Sequence, residues 1–282
     1  MESGKDVIIR CHPKGIQNGY FYVESLAAQL LLNNNLPSYK TYAIHDCENE
    51  NDCAFQIIEK LNGQAVTYFL KNNPKLENKI VFEMGKICAK MNQIPVDGFG
   101  PFNNNLAKQG ILKGVHKTFY KSVVAGLNYD LKLLVKYNVI SKQEAKSYKK
   151  LFSKNNPLLK CEQAYFVHND FIDWNSLTDG KTINGIIDLD ECIGSDPISE
   201  IACFSLFFDI KRLDSYLKGY FSVAEKPKNF EPKFQLLRLR YTLSKMTLRT
   251  KRFTYEQSDE MKRLIGVAKG HLAECAKYFE IN

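Results

Sequence analysis

Residues 166–177, FVHNDFIDWNSL, place a dense group of polar side chains in an otherwise apolar stretch. Five of them fall within eight positions: His168, Asn169, Asp170, Asp173 and Asn175. Polar groups are costly to bury unless they form hydrogen bonds or bind a ligand. We therefore expect this stretch to form a functional site, and the rest of the fold to be arranged around it.

A second carboxylate follows in GIIDLD (185–190), where Asp188 lies thirteen residues after Asn175 on a strand-like run. A tight loop between Asp170 and Asn175 would turn both side chains toward one cavity, and a neighbouring strand would add Asp188. Two carboxylates and an amide oxygen are hard ligands of the kind that Mg²⁺ prefers. A carboxylate free of metal could accept the proton of an attacking hydroxyl, as phosphoryl transfer requires.

Three motifs occur in a fixed order: HNDFIDWN (168–175), GIIDLD (185–190) and DPISEIA (196–202). In residue types and spacing they resemble the aminoglycoside phosphotransferase and choline kinase family of small-molecule kinases. The resemblance implies an α+β, bilobal protein-kinase-like fold with a reduced β-rich N-lobe and a larger helical C-lobe. It also implies ATP or GTP as phosphate donor, Mg²⁺ as cofactor, and a small-molecule hydroxyl as acceptor.

The resemblance also implies roles for individual residues of the three motifs. Asp170 would be the catalytic base, and Asn175 and Asp188 would hold Mg²⁺ on the nucleotide phosphates. His168 would orient the loop through backbone hydrogen bonds. Asp196 would cap the helix that begins at Pro197, which the preference for proline in the first helical turn supports independently.

Further upstream the resemblance assigns nucleotide contacts to four residues. In this family a basic residue on a strand holds the phosphates and pairs with a helix carboxylate; Arg10 and Glu24 match these positions. The alternative for this pair is an ordinary surface ion pair worth about 0–1 kcal/mol. AFQIIEKLNG (54–63) resembles the strand that leads into the hinge between the lobes, where the carbonyl of Glu59 and the N–H of Leu61 would read the adenine edge.

The hydrophobic patterns divide the chain into two parts. Residues 1–62 predict a strand, a helix and two strands, at 6–12, 21–32, 40–46 and 53–61. Residues 63–282 are mainly helical: helices are expected at 77–94 and 116–138, from Ser141 with a capping box to Glu144, and from Asp196 onward. Residues 96–105 are expected to be a loop.

Three residues beside the motifs have competing interpretations. Asp173 could be taken for the base, but the spacing to Asn175 favours Asp170. Asp190 would share a strand face with Asp188 and so could assist at the metal, although a plain structural role is favoured. Trp174 is expected to pack against other residues rather than stack on a substrate.

The chain departs from the family at its start. Only nine residues precede Arg10, too few for a hairpin of two strands of about five residues and a turn. The expectation is therefore an N-lobe without the hairpin that covers the nucleotide phosphates, with an exposed sheet edge through which a homo-oligomer could form. A non-catalytic, pseudokinase-like binding protein is the alternative function.

Composition limits the remaining possibilities. The 282 residues carry a net charge of +8, all of it within residues 211–282, which hold 16 Lys and Arg against 8 Asp and Glu. Without a nucleic-acid-binding motif, this basic segment is expected to be a solvated helix face, and it argues mildly against a polycationic acceptor.

No membrane-spanning run or signal peptide is seen, and the eight cysteines lack CxxC spacing. We expect a cytoplasmic protein with reduced core cysteines and no nucleic-acid or membrane partner.

Overall fold

The computed structural model describes residues 6–15 and 19–281. Within these residues the strands are β1 (Val7–Cys11), β2 (Thr41–His45), β3 (Phe55–Glu59), β4 (Gln64–Ala65), β5 (Pro95–Val96), β6 (Phe99–Phe102), β7 (Gly114–His116), β8 (Ala164–Val167), β9 (Ser176–Thr178), β10 (Ile183–Ile186) and β11 (Ile193–Ser195).

The α-helices of the same residues are α1 (Tyr20–Asn33), α2 (Val66–Asn72), α3 (Glu77–Met91), α4 (Asn104–Ala107), α5 (Phe119–Val124), α6 (Leu127–Lys136), α7 (Lys142–Lys154), α8 (Ile198–Phe204), α9 (Ile210–Tyr220), α10 (Phe230–Phe253) and α11 (Asp259–Tyr278). Short 3-10 helices lie at Pro74–Leu76, Asn156–Leu159, Asp173–Asn175 and Leu189–Glu191.

The first part of the chain forms a small antiparallel sheet with one helix. The sheet has the order β1-β3-β2, and α1 buries its apolar side, including Val23, Ala27 and Leu31. The predicted strand, helix and two strands are all present, within two residues of the expected bounds. β1 is an edge strand, and its residues Val7, Ile8 and Ile9 are 41, 42 and 61% exposed.

The second part contains two further antiparallel sheets, of order β10-β9-β4 and β5-β8-β11-β6-β7. The expectation of a loop over residues 96–105 is wrong, because this segment contains β6. Phe99 and Phe102 of β6 are buried, and β6 pairs with β11 and β7. Gly98, with φ of 72°, precedes the strand in a left-handed conformation that glycine adopts without strain.

Helices make up most of the second part, and α10 contacts α6, α8 and α11. α3 and α9 approach so closely that a Cβ on Gly85 would lie 2.1 Å from the carbonyl oxygen of Tyr216. The capping box of Ser141 and Glu144 is confirmed at the start of α7. The helix expected over 116–138 is instead two helices, α5 and α6, because Gly126 adopts a φ of 72° between them.

The described residues include no helix that is long and apolar enough to cross a membrane.

All eight cysteines are free thiols, and five of them are buried: Cys47, Cys88, Cys192, Cys203 and Cys275. Cys11 is exposed, contrary to the expectation of a core cysteine, because it ends the edge strand β1. The α+β fold class is confirmed, with the dense polar stretch lying between β8 and β9.

Candidate active site

The loop after β8 is tied to the segment before Asp188 by a buried histidine. His168 is fully buried, and its Nε2 donates to the carbonyl oxygen of Ile187 at 2.9 Å. The N–H of Ile187 in turn donates to the carbonyl oxygen of Asn175 at 3.1 Å. These two bonds place Asp188 beside the loop that carries Asp170 and Asn175.

Glu200 of α8 fixes the backbone of the same loop. Its carboxylate, 1% exposed, accepts hydrogen bonds from the N–H groups of Asn169 at 2.9 Å and Phe171 at 3.1 Å. Burial raises the pKa of Glu200, while His168 and the two N–H donors favour its ionised form. Asn169 has a left-handed φ of 69°, which the bonds to Glu200 stabilise. The backbone on both sides of Asp170 is thus fixed.

Asp170 itself lies between an amide and an ammonium group. Asn175 Nδ2 donates to both the backbone oxygen and Oδ2 of Asp170, each at 2.9 Å. Lys245 Nζ of α10 lies 3.7 Å from Asp170 Oδ1. Burial raises the pKa of Asp170, and the charge of Lys245 opposes that effect. These two bonds use Nδ2 of Asn175, and its Oδ1 takes no part in them.

Asp173 has a different environment. Its side chain is 6% exposed, and Arg212 NH2 of α9 donates to its Oδ2 at 2.5 Å. Burial raises the pKa of Asp173, and Arg212 opposes this effect. Asp173 therefore holds the loop to α9, which supports Asp170 as the carboxylate that faces a substrate.

Asp188 follows the end of β10 and adopts a left-handed φ of 64°. The strand stops at Ile186, so the expectation that Asp190 shares a strand face with Asp188 is wrong. Asp190 lies instead in the 3-10 helix Leu189–Glu191. Burial raises the pKa of Asp190, and the charges of Asp188 and Glu191 raise it further.

Arg10 connects the small sheet to Asp188. Its NH2 donates to Asp188 Oδ1 at 3.0 Å, and its NH1 pairs with Glu24 Oε2. Glu24 is 1% exposed, so the interpretation as an ordinary surface ion pair is wrong. Gln56 Nε2 also donates to Glu24, at 2.9 Å. Burial raises the pKa of Glu24 to about 7, although Arg10 and Gln56 favour the carboxylate.

Glu59 and Leu61 lie at the end of β3 and two residues beyond it, in the link toward β4. Ile58 is buried, and Glu59 Oε2 accepts a hydrogen bond from the N–H of Lys40 at 3.2 Å. Among the described residues, no hydrogen bond or ion pair joins Glu59 or Leu61 to the Asp170 cluster. Their adenine contacts stay a prediction.

Several cavities border the loop. Cavities of about 270 and 230 Å³ both touch Asn169. A third, of about 560 Å³, begins at Trp174, which is 46% exposed and meets Phe207 edge-on at 5.5 Å between ring centres. Trp174 therefore packs against Phe207, as expected, with part of its side chain exposed. A larger cavity of about 670 Å³ lies around β5 and β7 and includes none of the polar residues above.

Sequence reasoning did not assign a role to two residues of the site. Glu200 lies inside the DPISEIA motif, so its position four residues after Asp196 was the available signal. Lys245 lies seventy residues after Asn175, within a basic helix, and nothing nearby in the sequence distinguishes it. Asp196 does cap α8: its Oδ1 accepts a hydrogen bond from the N–H of Ile198 at 3.0 Å, and Lys233 pairs with its Oδ2 at 2.7 Å.

The arrangement brings together Arg10, Glu24, Asp188, Asn175 and Asp170. Oxygen atoms of Asn175 and Asp188 suit a hard divalent cation, and the guanidinium of Arg10 suits phosphate. Asp170, half-enclosed between Asn175 and Lys245, is positioned to accept a proton. The geometry is therefore compatible with transfer of a phosphoryl group.

Comparison with known proteins gives one match by sequence and several by structure. The sequence model of the phosphotransferase enzyme family ("APH") matches residues 22–232. No curated protein matches by sequence. The crystal structure of a thermostable mutant of aminoglycoside phosphotransferase APH(4)-Ia, apo form, superposes with a TM-score of 0.70 at 19% identity, over 97% of this chain and 89% of that chain.

Two further structures share the fold. A ternary complex of the same phosphotransferase with ADP and hygromycin B has a TM-score of 0.72 at 17% identity, over 96% of this chain and 87% of that chain. A choline/ethanolamine kinase family protein from Mesorhizobium loti has a TM-score of 0.63 at 14% identity, over 98% of this chain and 82% of that chain. The predicted protein-kinase-like fold is thereby confirmed.

Proposed function

Because the chain belongs to the phosphotransferase enzyme family, we propose that it moves the γ-phosphate of ATP or GTP to a hydroxyl of a small molecule. The observation that carries the proposal is the continuous set of contacts from Glu24 through Arg10 to Asp188. It joins a phosphate-binding cation in the small sheet to the loop of Asp170 and Asn175. Glu24 is 1% exposed, so the carboxylate of this ion pair is buried rather than on the surface.

In this proposal Asn175 and Asp188 hold Mg²⁺. The metal would neutralise charge on the nucleotide phosphates. The donor set fits, because Asp188 is 45% exposed and Asn175 donates its amide hydrogens to Asp170 rather than to solvent. Arg10 binds the phosphates while Glu24 fixes its direction. Glu59 and Leu61 contact the adenine or guanine base.

Asp170 carries the proton transfer. The acceptor oxygen attacks the γ-phosphorus, the bond from that phosphorus to the bridging oxygen breaks, and the nucleoside diphosphate leaves. The proton of the acceptor hydroxyl passes to the Asp170 carboxylate. Asn175 and Lys245 keep that carboxylate in place. Its raised pKa brings it closer to the operating pH, which favours a general base.

We propose two further features of the organisation. The boundary between the two parts lies at residues 62–63, because the sheet of β1, β2 and β3 ends before it and β4 pairs with β9 of the second part.

A second copy of the chain could cover the exposed edge of β1, where Val7, Ile8 and Ile9 leave apolar surface in water. Size-exclusion chromatography with light scattering tests this association.

The first experiment is a thermal shift with Mg²⁺-ATP and Mg²⁺-GTP. A ligand that binds only the folded state adds about 2.7 kcal/mol of stability at one hundred times its Kd. We expect a shift that requires Mg²⁺ and is lost in Asp188→Ala. Asp214→Ala, an exposed aspartate on α9, is the matched control and should keep the shift. A Mg²⁺-independent shift that survives Asp188→Ala would refute the metal assignment. No shift with either nucleotide would favour a non-catalytic binding protein.

A further inference from the structure

The cavity of about 560 Å³ beside Trp174 has no role in the reaction described so far. It lies between α10, α11 and the segment after α8. Its walls combine aromatic rings with charged groups, among them Trp174, Phe207, Phe208, Arg249, Arg263 and Glu260. A cavity of this size accommodates a small organic molecule.

One side chain connects this cavity to Asp170. Lys245 Nζ lies 3.7 Å from Asp170 Oδ1 and 5.8 Å from the centre of the Phe207 ring, which lines the cavity. Trp174, on the same wall, directly precedes Asn175. Asp170 does not itself line the cavity, so a bound molecule would extend past Phe207 to bring a hydroxyl to the Asp170 carboxylate.

Arg249 is a buried cation that lines this cavity. It is 9% exposed, and its NH1 donates to the carbonyl oxygen of Leu264 at 3.1 Å. Across residues 6–15 and 19–281 it forms no ion pair with a carboxylate, so most of its five N–H donors are left for a ligand. Burial lowers the pKa of Arg249, the charge of Arg263 lowers it further, and the charge of Glu260 opposes both effects. A buried charge without a partner is costly unless something binds it.

The other ionisable groups around the cavity are already engaged. Arg263 pairs with Glu260 at 2.8 Å, and Asp209 accepts the N–H of Arg212 at the start of α9. Burial and the charge of Arg238 lower the pKa of His271, which favours its neutral form. Within residues 6–15 and 19–281, Arg249 and Asp209 are therefore the lining charges without a side-chain ion pair, and Arg249 is the one that an anionic group would meet.

The aromatic walls do not favour a cationic ligand. Lys245 lies over Phe207, and Arg212 lies over Phe208 at 4.2 Å from the ring centre. Cations of the protein thus already use rings that would otherwise attract an ammonium group. The basic segment 211–282, which supplies these residues and Arg249, has the sign expected for an anionic ligand.

The cavities that touch Asn169 are less suited to an anion. In the cavity of about 270 Å³, Arg240 pairs with Asp130 at 2.8 Å, and the hydroxyl of Tyr241 donates to Asn169 Oδ1 at 2.5 Å. The cavity of about 230 Å³ contains Asp190 and Glu191. An amine beside these two carboxylates is the competing possibility.

We propose that the 560 Å³ cavity binds the acceptor of the phosphotransfer reaction proposed above, and that this acceptor carries an oxyanion, a carboxylate or a phosphate monoester, held by Arg249. Lys245 and Arg249 are four residues apart on one face of α10, about 6 Å along its axis. An acceptor that engages both Arg249 and Asp170 therefore spans this separation and the further 3.7 Å between Lys245 Nζ and Asp170 Oδ1. The guanidinium fork fits either oxyanion.

The test measures binding of matched probes by isothermal titration calorimetry in the absence of nucleotide. 4-(Hydroxymethyl)benzoate and 4-(hydroxymethyl)phenyl phosphate are compared with the neutral 4-(hydroxymethyl)benzamide and the cationic 4-(hydroxymethyl)benzylamine. We expect at least one anionic probe to bind tenfold more tightly than the neutral probe, about 1.4 kcal/mol. Which anion binds more tightly distinguishes a carboxylate from a phosphate acceptor.

Arg249→Met should remove this tenfold preference. Arg252→Met, three residues along α10, is the matched control, because Arg252 is 55% exposed and pairs with Glu256 on the surface. Arg249→Gln serves as a second neutral variant if Arg249→Met does not fold, and the comparison of probes in the wild type needs no variant. Arg249→Lys keeps the charge and should retain part of the preference.

Several results would overturn the proposal. Equal affinity for anionic and neutral probes, tightest binding of the amine, or an anion preference that survives Arg249→Met each exclude Arg249 as the acceptor site. If the Mg²⁺-nucleotide thermal shift occurs but only neutral or cationic compounds are phosphorylated, this inference fails while the phosphotransferase function stands. If Arg249 binds the anion but no nucleotide binds, the phosphotransferase proposal fails, and the role as acceptor fails with it.

Discussion

Replacing Glu24 with glutamine should change how the stability of the protein depends on pH. Glu24 is buried to 1% exposure, and burial raises its pKa from 4.5 to about 7. The folded state therefore binds the Glu24 proton more tightly than the unfolded chain does. As pH rises from about 4.5 to about 7, the unfolded chain releases this proton first, so the free energy of unfolding falls.

The size of this effect follows from the two pKa values. At about 1.4 kcal/mol per unit, a shift from 4.5 to about 7 corresponds to roughly 3 kcal/mol of stability, present below pH 4.5 and lost by about pH 7. Glu24→Gln also changes the contacts with Arg10 and Gln56 and so the overall stability, but glutamine does not titrate. The variant should therefore have the flatter stability profile.

Urea unfolding at pH 5, 6, 7 and 8, with EDTA and no nucleotide, measures both profiles. Other carboxylates with a raised pKa, such as Asp130, are present in both proteins and cancel in the difference. Glu83→Gln is the control, because it removes a carboxylate from the pair with Lys86 on α3. Parallel profiles for the wild type and Glu24→Gln, within about 0.5 kcal/mol from pH 5 to pH 8, would refute this account of Glu24.

Two further substitutions test the loop around Asp170. Asp170→Asn should lower the turnover of any accepted substrate by about 10²–10⁴-fold, the range for loss of a general base. The Mg²⁺-nucleotide thermal shift should persist in this variant. Retained turnover, measured in a coupled assay for nucleoside diphosphate, would exclude Asp170 as the base. Glu200→Gln should lower the free energy of unfolding by about 1.5–3 kcal/mol in urea, because an amide cannot accept both N–H groups of Asn169 and Phe171 with two oxygens. An unchanged urea midpoint would show that these two bonds contribute little.

The part of the site that could be predicted from the sequence is the part whose residues lie close together along the chain. His168, Asp170 and Asn175 share one loop, and Asp188 follows after a single hairpin. Their mutual placement is therefore constrained by short connections and by the need to satisfy buried polar groups. The link from Arg10 to Glu24 was predictable because one strand and the next helix carry them.

The remaining features of the fold and of the site depend on contacts that hydrophobic periodicity does not encode. β6 was missed because Gly98, Gly100 and Pro101 mask a strand whose partners lie elsewhere in the chain. The strand was expected to continue through Asp190, but it ends earlier. Asp188 adopts a left-handed φ, which its tertiary contacts determine. Arg249 resembles any other arginine of a basic helix, and only packing against α11 shows that it is buried.

The charged side chains of the cleft indicate which kind of ligand each of its two ends would bind. Among the described residues around Asp170 and Asp188, carboxylates outnumber cations: Glu24, Asp170, Asp188, Asp190 and Glu191 against Arg10 and Lys245. Burial raises the pKa of Asp170, and burial with neighbouring carboxylates raises that of Asp190, so negative charge here costs folding free energy until a cation binds. Arg249 is the opposite case, a buried cation that forms no ion pair with a carboxylate within residues 6–15 and 19–281. The same physical reasoning thus supports both proposals, a divalent cation at the Asp188 end and an anionic group at the Arg249 end, with the acceptor hydroxyl between them.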